Sequence, residues 1–387
     1  MKILYPDMFV FPVNGGVGSG GTTRIAIEEA RTLSRHGHET HFLATDGSSP
    51  GAYFDGVAFC ALPVPPICEL PRAKIGPQNR HTAKLAHDHC VKHRIDAVIS
   101  HSNPGFTLAF SKLVPKVPVI FVHHLWPSTN LFFDTGRFRQ LQEMSDRGIY
   151  VVFNSVPNIK RHRQLARSYA KKDLDAKTQQ CISGFLKWSE SGVYAMKTLF
   201  SCRPYEYTPV ERKVHLVASR CAPDKRIHVW ADKASRPVHG AFTSYLDSEY
   251  ERQTVLSMNS NDAWSYDFGV SYPKVLKLMR SALSNVATGP TDSFGLTVFE
   301  AASFGTPSVL GRTGAYSAVE DLVSNLGETF PVFDYSGARS AERMRHALLD
   351  AESWSDSRRR SLCELVQSRF SEKRLVKERT RLLEALL

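Results

Sequence analysis

Arg220 and Lys225 stand five residues apart in SRCAPDKR, and Asp292 and Glu300 lie eight apart in DSFGLTVFEAASFGTPSV. Two cations on one short segment can oppose growing negative charge directly. The alternative for the pair is an ordinary solvated loop, and for Glu300 a surface helix residue. A second group of interest lies near the amino terminus, where Gly15, Gly16, Gly18, Gly20 and Gly21 fall within seven residues. Glycine lets the backbone turn and approach a ligand closely, and the free N–H groups of a following helix would seat a phosphate. The spacing fits neither the dinucleotide fingerprint nor a Walker loop, so a tight connection that needs glycine only for its geometry explains it equally well. A third group consists of polar residues that close apolar runs: His101, Asn103, His123, His124, Asn154 and Ser155. A lone histidine is more often structural, but several polar strand ends on one edge suggest a site.

These residues need elements to hold them. KILYPDMFVFPV reads as a buried strand, Ile25, Ile27, Ala30 and Leu33 as one helix face, and THFLATD as the next strand. Gly37 suits a left-handed helix stop, with Arg35 and His36 at the negative helix end. Strand, glycine turn, helix and strand form a βαβ unit, which predicts a parallel sheet. DAVISH, VPVIFVHH and GIYVVFNS supply further strands. In an open α/β sheet, ligands bind beyond the carboxyl ends of the strands. A second α/β pattern begins at KVHLVASR, followed by a strand ending near Thr288, a helix opening near Phe294–Leu296 and the strand PSVLG. A chain of 387 residues is expected to form two domains.

The motifs resemble those of the family 4 retaining glycosyltransferases of GT-B fold. GGVGSGGTTRIAIEEARTLSRHGHE looks like their glycine loop and helix, and SRCAPDKR is similar to their Arg-x4-Lys element. DSFGLTVFEAASFGTPSV resembles their E-x7-E element, with Asp292 where the family usually has Glu. The aspartate keeps the carboxylate but is one methylene shorter. The resemblance implies two Rossmann-like domains facing across a cleft, with boundaries expected at 1–205 and 206–365 and a final helix, 366–387, crossing back to the first domain. It also implies a nucleotide-sugar donor, a UDP-sugar, as co-substrate, with no required cofactor. No metal ligand set is expected, and Mg²⁺ is compatible with the site without being implied. Arg220 and Lys225 would neutralise the diphosphate leaving group, aided by Gly16, Gly18, Ser19, Phe294 and the backbone N–H groups of Gly295, Leu296 and Thr297. Glu300 would accept hydrogen bonds from the ribose. Asp292 would bind sugar hydroxyls, and His123 matches a histidine placed near the sugar.

Charge speaks to the acceptor. Residues 1–200 hold 24 Lys and Arg against 15 Asp and Glu, and so carry most of the net charge of +11. Asn158–Lys177 is densest, with Lys160, Arg161, Arg163 and Arg167 near the aromatics Trp126, Phe132, Phe133 and Phe138. Cations interleaved with aromatics suit a nucleic-acid path. A solvated helix or a patch for anionic lipid headgroups would show the same pattern. The chain also resembles the phage DNA α-glucosyltransferases in size, motif order and the strand end IFVHH. That resemblance implies a hydroxymethylated pyrimidine, such as hydroxymethylcytosine in double-stranded DNA, as acceptor, bound by His124, Trp126, Lys160, Arg161, Arg163 and Arg167. Transfer to a polysaccharide, a glycolipid or a small metabolite is the alternative.

The remaining composition is plain. No apolar run is long enough to span a membrane, and the first residues do not read as a signal peptide. Seven cysteines without a CxxC pair suggest reduced thiols in a cytoplasmic protein, the host cytoplasm if the gene is a phage's. A zinc site from Cys60, Cys68 and Cys90 with His87 or His89 is poorly spaced. The charges of the last helix read as its solvated face, and the oligomeric state is left open.

Overall fold

The computed structural model describes residues 1–6, 21–45, 56–64, 72–101, 104–114, 116–125, 127, 130–197, 201–202, 204–231, 234–243, 249–289, 295–311, 323–324, 326–333 and 339–387. Two compact units result. The first takes the described residues up to Ser201 together with Glu372–Leu387, and the second those from Cys202 to Ser371.

In the first unit the elements run β1 (Lys2–Pro6), α1 (Gly21–Arg35), β2 (Glu39–Ala44), β3 (Ala58–Ala61), α2 (Arg72–His93), β4 (Ala97–Ser100), α3 (Pro104–Ser111), β5 (Val119–His123), α4 (Leu131–Asp146), β6 (Tyr150–Phe153), α5 (Val156–Ala170), α6 (Ala176–Glu190) and β7 (Tyr194–Ala195). All seven strands are parallel, in the order β3-β2-β1-β4-β5-β6-β7. The central strands are apolar runs buried along their whole length, as a sheet covered by helices on both faces requires. Gly37 adopts φ 87° and closes α1, its N–H donating to the Ser34 carbonyl and that of His38 to the Leu33 carbonyl, as its sequence context suggests. Asn130 accepts from the N–H groups of Phe132 and Phe133 to cap α4, and Ser155 accepts from Asn158 N to cap α5. The order reverses direction at β1 and β4, which makes their carboxyl ends the expected ligand edge.

The second unit repeats the plan with β8 (His215–Ser219), α7 (His228–Ala231), β9 (Val238–Phe242), α8 (Glu249–Asn259), β10 (Trp264–Asp267), α9 (Tyr272–Ser281), β11 (Asn285–Ala287), α10 (Leu296–Ala302), β12 (Ser308–Gly311), β13 (Val332–Phe333), α11 (Ser340–Glu352) and α12 (Asp356–Arg369). Its six parallel strands follow the order β10-β9-β8-β11-β12-β13, so the reversal falls between β8 and β11. Gly305 ends the α10 segment at φ 72°, where a Cβ would lie 2.5 Å from the Arg359 carbonyl oxygen. No other residue fits both that backbone angle and that approach.

The final helix, α13 (Glu372–Glu384), packs in the first unit. Its charges are not all solvated, contrary to the reading of the sequence. Arg379 is fully buried and donates from Nε to Glu29 Oε2 of α1 at 2.7 Å. A charge survives in a core only when it is paired and hydrogen-bonded, and here one ion pair ties the two ends of the chain.

Candidate active site

The second sheet brings the carboxyl ends of β8 and β11 side by side. Leu216 pairs with Asn285, so three residues further along both strands stand Ser219 and Thr288. Arg220 follows the first and Gly289 the second, at the point where the strand order reverses. Arg220 is exposed and Lys225 half-buried, the latter ending a short 3-10 turn, Pro223–Lys225, that the left-handed Arg226 closes at φ 52°. Gly295, whose φ of 75° places it in the left-handed region, caps the start of α10. Gly295, Leu296 and Thr297 form this helix start. The helix is only seven residues long, so its dipole is modest and side-chain cations must supply most of the positive charge.

Glu300 follows the first turn of α10 and is buried. Tyr272 at the start of α9 donates its hydroxyl to Glu300 Oε1 at 2.7 Å, orienting the carboxylate. Tyr272 escaped the reading of the sequence. It lies twenty-eight residues from its partner and in no motif, and only the packing of α9 against α10 makes the pair. Asp292, Phe294, Gly16, Gly18, Ser19, Trp126 and Asn103 lie outside the described residues.

In the first unit the polar strand ends do converge, and they bond chiefly to one another. His101 Nδ1 lies 3.0 Å from His124 Nε2, while His101 Nε2 lies 3.6 Å from Glu29 Oε1. Tyr5 donates its hydroxyl to the same Glu29 oxygen at 3.1 Å. Asn154 Nδ2 donates to the His124 carbonyl at 3.4 Å, and Asn158 Nδ2 to Asn154 Oδ1 at 2.7 Å. His123 turns inward, with its Nε2 3.3 Å from His162 Nε2. His162 Nδ1 lies 3.0 Å from the Asn158 carbonyl.

This chain of buried groups is held in defined charge states. Burial raises the Glu29 carboxyl pKa, but Arg379 and His101 outweigh it and bring it down to about 2. Burial, then His162 and Arg137, pushes His123 well below its usual value, and burial, then His101, does the same to His124. Burial holds His162 down at about 4. His123 and His124, expected near the sugar and the acceptor, take inward partners here. Both are buried, paired inward and neutral, and they brace the strand edge.

The basic stretch on α5 also divides. Lys160 is exposed and Arg161 half-buried. Arg163 instead donates to the Ser189 carbonyl, and Arg167 to Glu190 Oε1 at 2.6 Å. Both cations reach the end of α6, because positions four apart on α5 face that neighbouring helix, and the Arg167–Glu190 pair stays exposed to solvent. At the start of α4, Phe132 and Phe133 are exposed at 80% and 56%, with their rings edge to face. Phe138, taken with them as an aromatic of the path, is fully buried against Phe185.

Residues 19–165 match the family model Glycosyltransferase Family 4. No curated protein matches the sequence. Among solved structures, a sucrose-phosphate synthase from Thermosynechococcus elongatus shares 13% identity at a TM-score of 0.74, over 100% of this chain and 98% of that one. A glycosyltransferase involved in avilamycin A biosynthesis shares 16% identity at 0.60, over 100% and 97%. A pneumococcal O-GlcNAc transferase, solved with UDP and GlcNAc, shares 11% at 0.63, over 100% and 99%. The chain thus has the fold of these enzymes, two Rossmann-like parallel-sheet domains of GT-B type, as expected from the sequence. No helix of the described residues is long and apolar enough to cross a membrane.

Proposed function

We propose that the protein is a retaining glycosyltransferase that moves a sugar from a nucleotide-sugar donor, a UDP-sugar, to a hydroxyl acceptor. The observation that carries this reading is the placement of Arg220 and Gly289 just beyond the two strand ends that flank the reversal of the second sheet. Arg220 and Lys225 oppose the charge that builds on the diphosphate as the glycosidic bond breaks. Glu300, oriented by Tyr272, accepts from the ribose hydroxyls, and Asp292 holds the sugar. The match over residues 19–165 and the fold of the neighbouring structures support the reading. Incubation with a panel of labelled UDP-sugars tests it, with donor binding by calorimetry and anomeric coupling in the product by NMR. Failure to bind or cleave any nucleotide sugar overturns the assignment. Inversion at the anomeric carbon overturns the retaining mechanism alone.

A narrower reading takes a hydroxymethylated pyrimidine in duplex DNA as the acceptor. The positive excess in residues 1–200 supports it, as do the exposed rings of Phe132 and Phe133, which suit stacking or wedging at an extruded base. The internal partners of Arg163 and Arg167 count against it. Duplex binding across salt concentrations decides. With a DNA acceptor, Lys160→Ala/Arg161→Ala lowers the slope of log affinity against log salt by about two. An unchanged slope, or no binding at low salt, leaves a glycan, glycolipid or metabolite acceptor.

A further inference from the structure

Three imidazoles meet in the first unit away from its carboxyl edge. His41 projects from β2 and is buried, while His89 and His93 occupy successive turns at the end of α2. Ring centroids are 5.2 Å apart for His41 and His89, 5.0 Å for His41 and His93, and 4.3 Å for His89 and His93. One nitrogen from each falls within 4.8 Å of the others. We propose that His41, His89 and His93 bind a zinc ion.

The geometry is close to what the ion needs. His41 Nδ1 and His89 Nε2 are 3.1 Å apart. Two nitrogens at about 2.0–2.1 Å from a tetrahedral zinc stand roughly 3.3 Å apart. The adjustment is a few tenths of an ångström. His89 and His93 are four apart on one helix face, the spacing by which a helix offers two histidines to a single metal. Carboxylate support is in place as well. His41 Nε2 lies 2.9 Å from Glu39 Oε1, and Glu39 is itself paired with Lys2 Nζ at 3.2 Å. A proton on Nε2 facing that carboxylate leaves the Nδ1 lone pair aimed at His89, the arrangement that orients metal-binding histidines. Three imidazole nitrogens select zinc and its first-row neighbours over Mg²⁺ or Ca²⁺.

Position assigns the role. His41 is the third residue of β2, and α2 ends just before β4 begins. The cluster therefore lies towards the amino ends of the strands, on the opposite edge of the first sheet from His101, His123 and His124. The ion would clamp α2 to β2 and act on stability. From the sequence, His89 pairs only with Cys60, Cys68 and Cys90 as a zinc set, and Cys68 lies outside the described residues. Among these, Cys90 is buried, Cys60 is half-buried, and both are free thiols.

The test uses the full chain without an affinity tag, stripped with EDTA and returned to metal-free buffer. Titration with zinc chloride should show saturable binding of one equivalent and a raised unfolding temperature. Cobalt(II) should give ligand-field bands of four-coordinate intensity without a thiolate charge-transfer band. His89→Gln and His93→Gln should each weaken binding by tenfold or more, and Glu39→Gln by about tenfold. The cobalt spectrum needs no variant, so a substitution that disturbs folding does not blunt the test. Absence of one-equivalent binding, a thiolate band, or unchanged affinity in His89→Gln/His93→Gln would each overturn the proposal.

Discussion

Arg379 and Glu29 form a fully buried ion pair at 2.7 Å between the last helix and the first. The pair continues through His101 to His124, and so couples the end of the chain to the strand edge of the first unit. Removing Arg379 would leave a buried carboxylate without its cation. Arg379→Met should cost about 3–5 kcal/mol in urea unfolding, and Glu29→Leu/Arg379→Met should recover much of that loss. A single variant as stable as the wild type would show that the pair does not hold the helix.

The same pair gives a pH dependence. Glu29 titrates at about 2 in the folded chain against an ordinary value of 4.5. A carboxyl lowered on folding adds stability that is complete above the unfolded value and is lost as pH falls through the folded one. The stability gap between wild type and Glu29→Gln should stay constant from pH 8 to about 5, then narrow below about 4.5. A gap that instead widens on acidification contradicts the assignment.

His162 behaves in the opposite chemical sense. Burial lowers it from 6.5 to about 4, with a partial lift from the Asn158 carbonyl. Below about 6.5 the unfolded chain takes up a proton that the folded chain refuses, so acidification destabilises the fold until about pH 4. In His162→Gln the urea midpoint should vary less with pH over this window. An identical profile would assign the acid sensitivity to other groups.

At the proposed donor site, Arg220→Ala and Lys225→Ala should each lower turnover by about 10²-fold, as the loss of a donor facing developing charge does. Circular dichroism must show both variants folded. Normal turnover in both would remove the diphosphate role.

Glu300→Gln should act mainly on donor affinity, by about tenfold, because a hydrogen bond to a charged group contributes about 1.5–3 kcal/mol. Tyr272→Phe deletes only the orienting hydroxyl and should weaken donor binding by about fivefold, near 1 kcal/mol. Asp292→Asn should spare binding and reduce turnover. Calorimetric titration against steady-state rates separates the three, and loss of binding in Asp292→Asn alone would reverse the roles.

The βαβ plan was legible along the chain because its determinants are local. Buried parallel strands are short apolar runs, and Gly37 marks a helix end by its backbone angle. The positions of Arg220, Lys225 and Glu300 along the elements were legible because each sits at a fixed offset from a strand or helix end. The short strands β3, β7 and β13 carried no such signal, since two to four residues hold too little pattern. Partnership could not be read at all. Whether Arg167 meets a ligand or Glu190, whether His123 faces a sugar or His162, and whether Arg379 is solvated or paired with Glu29 depends on which helix packs where. The histidine pair on α2 is visible in the sequence as a four-residue spacing. Its third member, His41, comes from a strand forty-eight residues away. Local propensity and pattern determined the elements. The tertiary structure alone decided which charges and imidazoles are buried together, because burial makes an unpaired polar group costly and so turns packing into chemistry.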